Sequence, residues 1–213
     1  MQDAIVHIVD DDHHVRAATS FLLHSRGYRT EVYADGLEFL AQATPTAGCV
    51  LLDLRMPGLN GIEVQEELTR RGISIPVIML SGHGDIPVAV QAVKAGAIEF
   101  IEKPYAEDAL VAAIARAISI GAEQSAQQSR KVQAKATLNK LSPREHDVLQ
   151  GLLAGQSNKV IAHHLTLSPR TVEMHRAHIM DTVGVKNLPA LVRMAIDADL
   201  APTSDETGAR AYG

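Results

Sequence analysis

The chain has 213 residues, of which 46% are hydrophobic and 21% charged, a globular composition that argues against wholesale disorder. No window holds the ~18 uninterrupted apolar residues of a membrane helix, the amino terminus lacks a secretory pattern, and the single cysteine, Cys49, permits no internal disulfide. These features predict a cytoplasmic protein that is not bound to membranes. Taken alone, the net charge of −5 and the aromatic content of 3% argue against nucleic acid as a partner.

The charge is unevenly distributed along the chain. Residues 1–129 contain 9 Lys and Arg against 17 Asp and Glu, whereas residues 130–213 contain 11 against 8, so the second part is basic. Between them, residues 122–136 are rich in Ala and Gln, which favours a solvent-exposed helix over a flexible tether. The predicted division is a first domain over 1–120, a helical linker over 121–137, a second domain over 138–200 and a disordered tail over 201–213.

The amino-terminal part alternates short apolar or β-branched runs with segments of helical periodicity. The predicted strands are residues 5–9, 30–33, 49–52, 77–80 and 99–101. The predicted helices are residues 15–23, 36–43, 62–68, 86–95 and 106–118. Five β–α units in a row predict an α/β domain with a parallel sheet covered on both faces, because parallel strands need crossover connections.

Polar side chains follow four of the predicted strands. Asp10 and Asp11 follow the first strand, Asp53 the third, Ser81 the fourth and Lys103 the fifth. Ligands bind such sheets beyond the carboxyl ends of the strands, and carboxylates crowded there repel one another unless a cation lies among them. Mg²⁺ prefers oxygen ligands, while an ammonium and a hydroxyl suit phosphate oxygens. One aspartate alone after a strand would usually be a turn or cap residue, but the joint pattern predicts that Asp53 accepts a phosphoryl group.

These residues and their surroundings resemble the receiver domain of two-component response regulators over residues 3–120. The resemblance implies a doubly wound, flavodoxin-like (CheY-like) sheet of order 2-1-3-4-5 and phosphorylation of Asp53 by a sensor histidine kinase. The matching motifs are Val9-Asp10-Asp11 with Arg16, Asp53-Leu-Arg-Met-Pro-Gly58, Gly61, Ser81-Gly82, Ala95-Gly-Ala97 and Lys103-Pro104.

The resemblance also implies the ligands of the metal ion. Asp11, Asp53 and the main-chain carbonyl of Arg55 would bind Mg²⁺ directly, and Asp10 would bind it through water.

The resemblance implies further that Lys103 binds phosphate and that Ser81 and Phe100 rearrange upon phosphorylation.

An alternative is a phosphatase of the haloacid dehalogenase kind, but those enzymes carry a second acid two residues after the nucleophile, where this chain has Arg55. A binding protein that works without phosphorylation is a second alternative. The complete set of acids, hydroxyl and lysine argues against it, and we expect a switch rather than an enzyme.

The carboxyl-terminal part predicts four short helices. The first begins at Ser142-Pro143 with a capping box closed by Glu145 and stops at Gly155, and the third runs from Ser168 to Gly184. The second begins at Ser157 or Asn158 and the fourth at Asn187. A tight turn between the middle two helices predicts a helix-turn-helix unit.

The third helix has one apolar face. At 100° per residue, Val172, Ile179 and Val183 lie together and face the core. The other face carries small, polar and long side chains, which suits the major groove of DNA as well as a solvated helix in an ordinary bundle. The residues assigned to DNA contact are Lys159, Arg170, Thr171, Glu173, Met174, Arg176 and Ala177.

Residues 138–200 contain a series of motifs, namely Leu141-Ser-Pro-Arg-Glu145, Gly155, Asn158-Lys159, Ile161-Ala162, Leu165, Ser168-Pro-Arg-Thr-Val-Glu173, His175-Arg176 and Ile179-Met180. Together they resemble the DNA-binding domain of the LuxR/FixJ family, and in particular the FixJ-like branch. The resemblance implies binding to double-stranded promoter DNA, a homodimer formed on phosphorylation, activation rather than repression, and RNA polymerase as a further partner.

Overall fold

The computed structural model describes residues 4–43, 47–82 and 86–201. The chain divides into two compact units, Met1–Ser125 and Ala126–Gly213. In the part of the chain that is described, no helix is both long enough and apolar enough to span a membrane. The predicted disordered tail lies outside the described residues, apart from Ala201.

The first unit contains five strands in one parallel sheet of order β2-β1-β3-β4-β5, as the receiver resemblance implied. The strands are β1 (Ile5–Val9), β2 (Arg29–Tyr33), β3 (Gly48–Asp53), β4 (Val77–Ser81) and β5 (Glu99–Glu102). The helices are α1 (His13–Ser25), α2 (Gly36–Gln42), α3 (Gly61–Arg70), α4 (Ile86–Lys94) and α5 (Glu107–Leu138). In the register, Ile5 of β1 lies beside Gly48 of β3 and Val50 lies beside Val77 of β4.

Several helix boundaries differ from the predicted ones, among them the start of α1 and the end of α5. Helix α1 begins two residues earlier than predicted because the side chain of Asp12 accepts a hydrogen bond from the His14 amide and caps the helix. Helix α5 is 32 residues long and continues past its predicted end through the Ala- and Gln-rich segment. The linker is therefore helical, as its composition predicted.

Apolar side chains cover both faces of the sheet. One cluster includes Val50, Leu52 and Met79, and the other includes Leu51 and Ile78, so successive residues of β3 and β4 point to opposite faces. Every residue of β3 and β4 is buried. These buried strands fix the positions of the residues at their carboxyl ends.

The second unit contains four further helices, α6 (Pro143–Leu153), α7 (Asn158–His164), α8 (Pro169–Val183) and α9 (Leu188–Asp197). Each begins after a capping side chain that accepts a hydrogen bond from the backbone, namely Ser142, Ser157, Ser168 and Asn187. Their shared core includes Leu149, Ile161, Val172 and Leu191 together with Leu138 at the end of α5. The predicted four-helix unit with a tight turn between its middle helices is confirmed.

Candidate functional site

The carboxyl edge of the sheet brings together a lysine and two buried carboxylates. Asp10 directly follows β1, Asp53 ends β3, and Lys103 directly follows β5. The relative exposure is 1% for Asp10 and 6% for Asp53. The Nζ atom of Lys103 lies 2.5 Å from Asp10 Oδ2 and 2.5 Å from Asp53 Oδ1. One ammonium group thus bridges two carboxylates from different strands.

Backbone groups hold the remaining oxygens of both carboxylates. The Arg55 amide donates to Asp53 Oδ2 at 2.8 Å, and the Asp12 amide donates to Asp10 Oδ1 at 3.0 Å. The Arg16 guanidinium of α1 donates to the main-chain carbonyl of Asp10 at 2.5 Å. The sequence identified Arg16 only as part of a motif, and this contact shows that Arg16 holds the backbone of Asp10.

The electrostatics of the site follow from its burial. Burial raises the pKa of Asp53 and the Asp10 carboxylate adds to the rise, whereas Lys103 and the Arg55 amide act in the opposite direction. Burial by itself would lower the pKa of Lys103, but the two carboxylates more than offset it and the pKa is raised. With both acids ionised, two negative charges share one positive charge, so the edge favours a further cation.

The set of oxygen donors fits a hard cation such as Mg²⁺. The carboxylates of Asp10 and Asp53 lie at the edge, and Mg²⁺ binds in proteins through one or two carboxylates while retaining several waters. Asp11 is exposed, and among the described residues no group of three or more His, Cys, Asp or Glu side chains is arranged to hold a metal. The chemistry of the donors, rather than a preformed cage, therefore supports a cation here.

The two residues predicted to rearrange lie on neighbouring strands. Ser81 is buried at the end of β4, and Phe100 is partly buried in β5, where it packs on the core cluster that includes Met79. In the register, Ser81 lies beside Glu102, and Met79 lies beside Phe100. Ser81 therefore lies at the edge that carries Asp53. Phe100 lies two residues before Glu102, the residue of β5 that is beside Ser81.

Gly61 allows helix α3 to approach strand β3 closely. A Cβ atom at this position would lie 2.6 Å from the main-chain oxygen of Asp53 and 2.7 Å from the Met79 sulfur. The Gly61 amide also donates to the Leu54 carbonyl at 3.0 Å. A side chain here would have to displace the backbone that carries Asp53.

In the second unit, α8 presents a buried and an exposed face. Val172, Ile179 and Val183 are buried, as the periodicity predicted. The exposed residues include Glu173 and Met174, the latter 65% exposed. The other predicted DNA-contact residues Arg170, Ala177 and, at the start of α7, Lys159 are also exposed, whereas Thr171 is partly buried.

Arg176 and His178 on α8 have partners within the domain. The Arg176 guanidinium donates to Asn158 Oδ1 of α7 at 2.7 Å. The His178 ring is hydrogen-bonded to Glu145 of α6, a residue that is 5% exposed. Glu145 also accepts from the amide and hydroxyl of Ser142, and these bonds, with a smaller contribution from His178, lower the pKa of Glu145 to about 2. No pattern in the sequence indicated these two links between helices.

Comparison with known proteins agrees with both halves of the fold. A family model described as "Response regulator receiver domain" matches residues 6–115. A second model, described as "Bacterial regulatory proteins, luxR family", matches residues 139–195.

Full-length relatives share the same order of domains. The chain is 42% identical to the transcriptional regulatory protein FixJ of Azorhizobium caulinodans over 203 residues, which cover 95% of this chain and 96% of that protein. The structure of the response regulator StyR aligns with 91% of this chain and 98% of the StyR chain, at 40% sequence identity and with a TM-score of 0.79. The structure of full-length FixJ from B. japonicum aligns with 94% of this chain and 99% of the FixJ chain, at 37% sequence identity and with a TM-score of 0.56. The chain therefore belongs to the FixJ-like response regulators, which join a receiver domain to a LuxR-type DNA-binding domain and regulate transcription under the control of phosphorylation.

Proposed function

We propose that Asp53 is the phosphoacceptor of a two-component switch, and that residues 1–120, 121–137 and 138–200 are its receiver, linker and DNA reader. The bridge of Lys103 between Asp10 and Asp53 is the observation that carries the proposal. It gives a buried carboxylate a fixed cationic partner at the carboxyl edge of a parallel sheet, where ligands of such sheets bind.

The proposed reaction moves a phosphoryl group from a phosphohistidine of a sensor kinase to Asp53. The P–N bond breaks, an Asp53 carboxylate oxygen forms the new P–O bond, and the histidine nitrogen keeps the bonding electron pair. Lys103 then pairs with a phosphoryl oxygen, and the Ser81 hydroxyl binds a second one. The exposed Arg55 stands where a haloacid dehalogenase phosphatase has its general acid, so the acyl phosphate persists long enough to act as a signal.

Mg²⁺ is the proposed cofactor. Asp53 and the main-chain carbonyl of Arg55 would hold it together with Asp11, and Asp10 would bind through water. When bound, it would neutralise charge on the phosphoryl oxygens. Asp10 is kept in place by the contact of its carbonyl with Arg16 and by the Asp12 amide.

Phosphorylation would alter the face formed by α4 and β5. Added charge at Asp53 attracts the Ser81 hydroxyl, and Phe100 turns inward into the space that this movement leaves. The proposed consequence is a homodimer, which places two DNA readers on paired half-sites and doubles the contacts to phosphate. By analogy with the family, we propose an activator that acts in the cytoplasm and contacts RNA polymerase.

Helix α8 is the proposed reading helix. Glu173 would accept from a cytosine amine, and Met174 or Ala177 would contact a thymine methyl group. The exposed Arg170 is assigned to a base edge or a phosphate.

Three more residues are assigned to the sugar–phosphate backbone. Lys159 would pair with a phosphate from the start of α7, and Thr171 would hydrogen-bond to one from the first turn of α8. Arg176 retains guanidinium N–H groups beyond the one bound to Asn158, and these would reach a phosphate.

Phosphorylation of the full chain by a small phosphodonor with Mg²⁺ tests the phosphoacceptor. Wild type should form an acid-stable, alkali-labile phosphorylated species that Asp53→Asn does not form. Asp35→Asn, which alters the cap of α2, serves as the matched control and should still be phosphorylated. Labelling of Asp53→Asn at the wild-type level would refute the assignment.

A comparison of two DNA-face variants tests the division between reading and positioning. Glu173→Ala should change which promoter bases affect the affinity for DNA. Lys159→Ala should instead weaken binding to all sequences and reduce the slope of log K against log salt by about 1. Identical effects of the two variants on sequence preference would refute this division.

A further inference from the structure

We propose that Thr19 of α1 and Tyr105 form a positioning pair that holds Lys103 against Asp53. The inference rests on the proposed role of Asp53 as phosphoacceptor and goes beyond it, because neither hydroxyl touches the acidic site. Thr19 Oγ1 lies 3.1 Å from Tyr105 Oη, and Thr19 is 4% exposed.

The segment that carries Lys103 is short and is anchored on both sides. Before it, the Lys103 amide donates to the Ser81 carbonyl at 2.7 Å and continues the sheet. After it, α5 begins at Glu107. Tyr105 lies between these anchors, and its side chain packs against the core cluster that includes Leu110 and Ile114. The hydroxyl pair adds a directional contact to this packing.

Helix α1 holds both segments that carry the charged groups. Arg16 and Thr19 are three residues apart and therefore lie on one side of the helix. Arg16 binds the main-chain carbonyl of Asp10, and Thr19 binds the tyrosine two residues beyond Lys103. The distance from Lys103 Nζ to the Asp10 carboxylate is thus set by two contacts to one rigid helix.

A second contact, between the residue that follows α1 and the first turn of α5, lies at the surface and cannot replace the hydroxyl pair. Arg26 Nη2 is 3.0 Å from Asp108 Oδ1, but the Asp108 side chain is largely exposed. An exposed ion pair of this kind contributes little and is screened by salt. The partly buried hydrogen bond between Thr19 and Tyr105 is therefore the contact that orients the Lys103 segment.

The experiment measures phosphorylation of the full chain by a small phosphodonor with Mg²⁺ in variants that lack one hydroxyl. Thr19→Val and Tyr105→Phe should each slow phosphorylation about fivefold, the factor that corresponds to one hydrogen bond between neutral groups. The double variant should be no slower than either single one, because both changes remove the same bond. Thr19→Ser, which keeps the hydroxyl, should restore the rate.

Ser20→Ala is the matched control. Ser20 Oγ pairs with Thr30 Oγ1 at 2.8 Å, so this change removes a similar hydroxyl pair that joins α1 to β2 and leaves the Lys103 segment untouched. Its phosphorylation rate should equal that of wild type. An equal loss of rate in Ser20→Ala and Thr19→Val would overturn the proposal, because the effect would then belong to α1 as a whole.

Hydrogen exchange without metal or phosphodonor gives a second readout. The Lys103 amide should exchange faster in Thr19→Val and Tyr105→Phe than in wild type or Ser20→Ala. Unchanged exchange and an unchanged rate in both hydroxyl variants would overturn the positioning role. If Asp53→Asn were phosphorylated like wild type, the proposed function would fail, while the exchange measurement would still decide whether the pair holds Lys103.

Discussion

Lys103 Nζ lies 2.5 Å from Asp53 Oδ1 and, at the same time, 2.5 Å from Asp10 Oδ2, so a single ammonium group neutralises part of the charge of two buried acids. Removal of that group would leave the two carboxylates facing each other in a site of low solvent access. The stability of the receiver and the chemistry proposed for Asp53 therefore depend on the same side chain.

We expect Lys103→Met to lower the free energy of unfolding of the receiver by about 2 kcal/mol at pH 7, because breaking a buried ion pair leaves uncompensated charge. The loss should shrink as the pH falls and the raised pKa of Asp53 lets its carboxyl protonate. Urea unfolding followed by circular dichroism measures both effects. Lys94→Met, at an exposed lysine of the same domain, is the control, and an equal loss in this variant would contradict the prediction.

Gly61→Ala should destabilise the receiver by about 2 kcal/mol, because its Cβ atom would meet the Asp53 main-chain oxygen and the Met79 sulfur at less than 3 Å. The backbone under Asp53 would have to shift, so phosphorylation should also slow. Gly82→Ala offers a comparison, since a Cβ atom there has no neighbour within 4 Å. Thermal unfolding of the two variants checks the prediction, which equal melting temperatures would refute.

The DNA-binding unit should lose stability in acid because of Glu145. Its folded pKa of about 2 lies below the ordinary value of 4.5, so its contribution is fully present above pH 4.5 and is lost as the pH falls toward 2. Glu145→Gln should flatten that dependence and, at pH 7, cost about 1 kcal/mol, because a neutral amide oxygen accepts hydrogen bonds from Ser142 more weakly than the carboxylate does. Melting temperatures measured from pH 2 to 7 test this, with Glu173→Gln, an exposed acid, as the variant that should keep the wild-type slope.

Arg176 and Arg170 should separate structural from DNA-binding roles. Arg176→Ala removes the hydrogen bond to Asn158 and should lower the stability of the second unit by about 1 kcal/mol, as well as weakening DNA binding. Arg170 is exposed, so Arg170→Ala should weaken DNA binding with no change in stability. Chemical unfolding and DNA titrations on both variants give the comparison. A loss of stability in Arg170→Ala as large as in Arg176→Ala would contradict it.

Local patterns were sufficient to predict the elements of both domains. Strands such as β3 and β4 are buried on both faces and appear as continuous apolar runs, and the helices of the second unit begin at recognisable caps such as Ser142 and Asn187. Boundaries were less predictable where a polar residue extends a helix, as Asp12 does for α1. The apolar period of α1 starts only at Val15, three residues after this cap.

The sequence by itself determined which kinds of side chain stand at the strand ends and on the exposed face of α8, because strand and helix periodicity assigns residues to edges and faces over short distances. Only the tertiary structure decided which atoms meet. Lys103 reaches partners 93 and 50 residues away, Thr19 meets a tyrosine 86 residues away, and His178 meets Glu145 across 33 residues. Such contacts depend on how separate elements pack and on the direction of each side chain, neither of which a local pattern encodes.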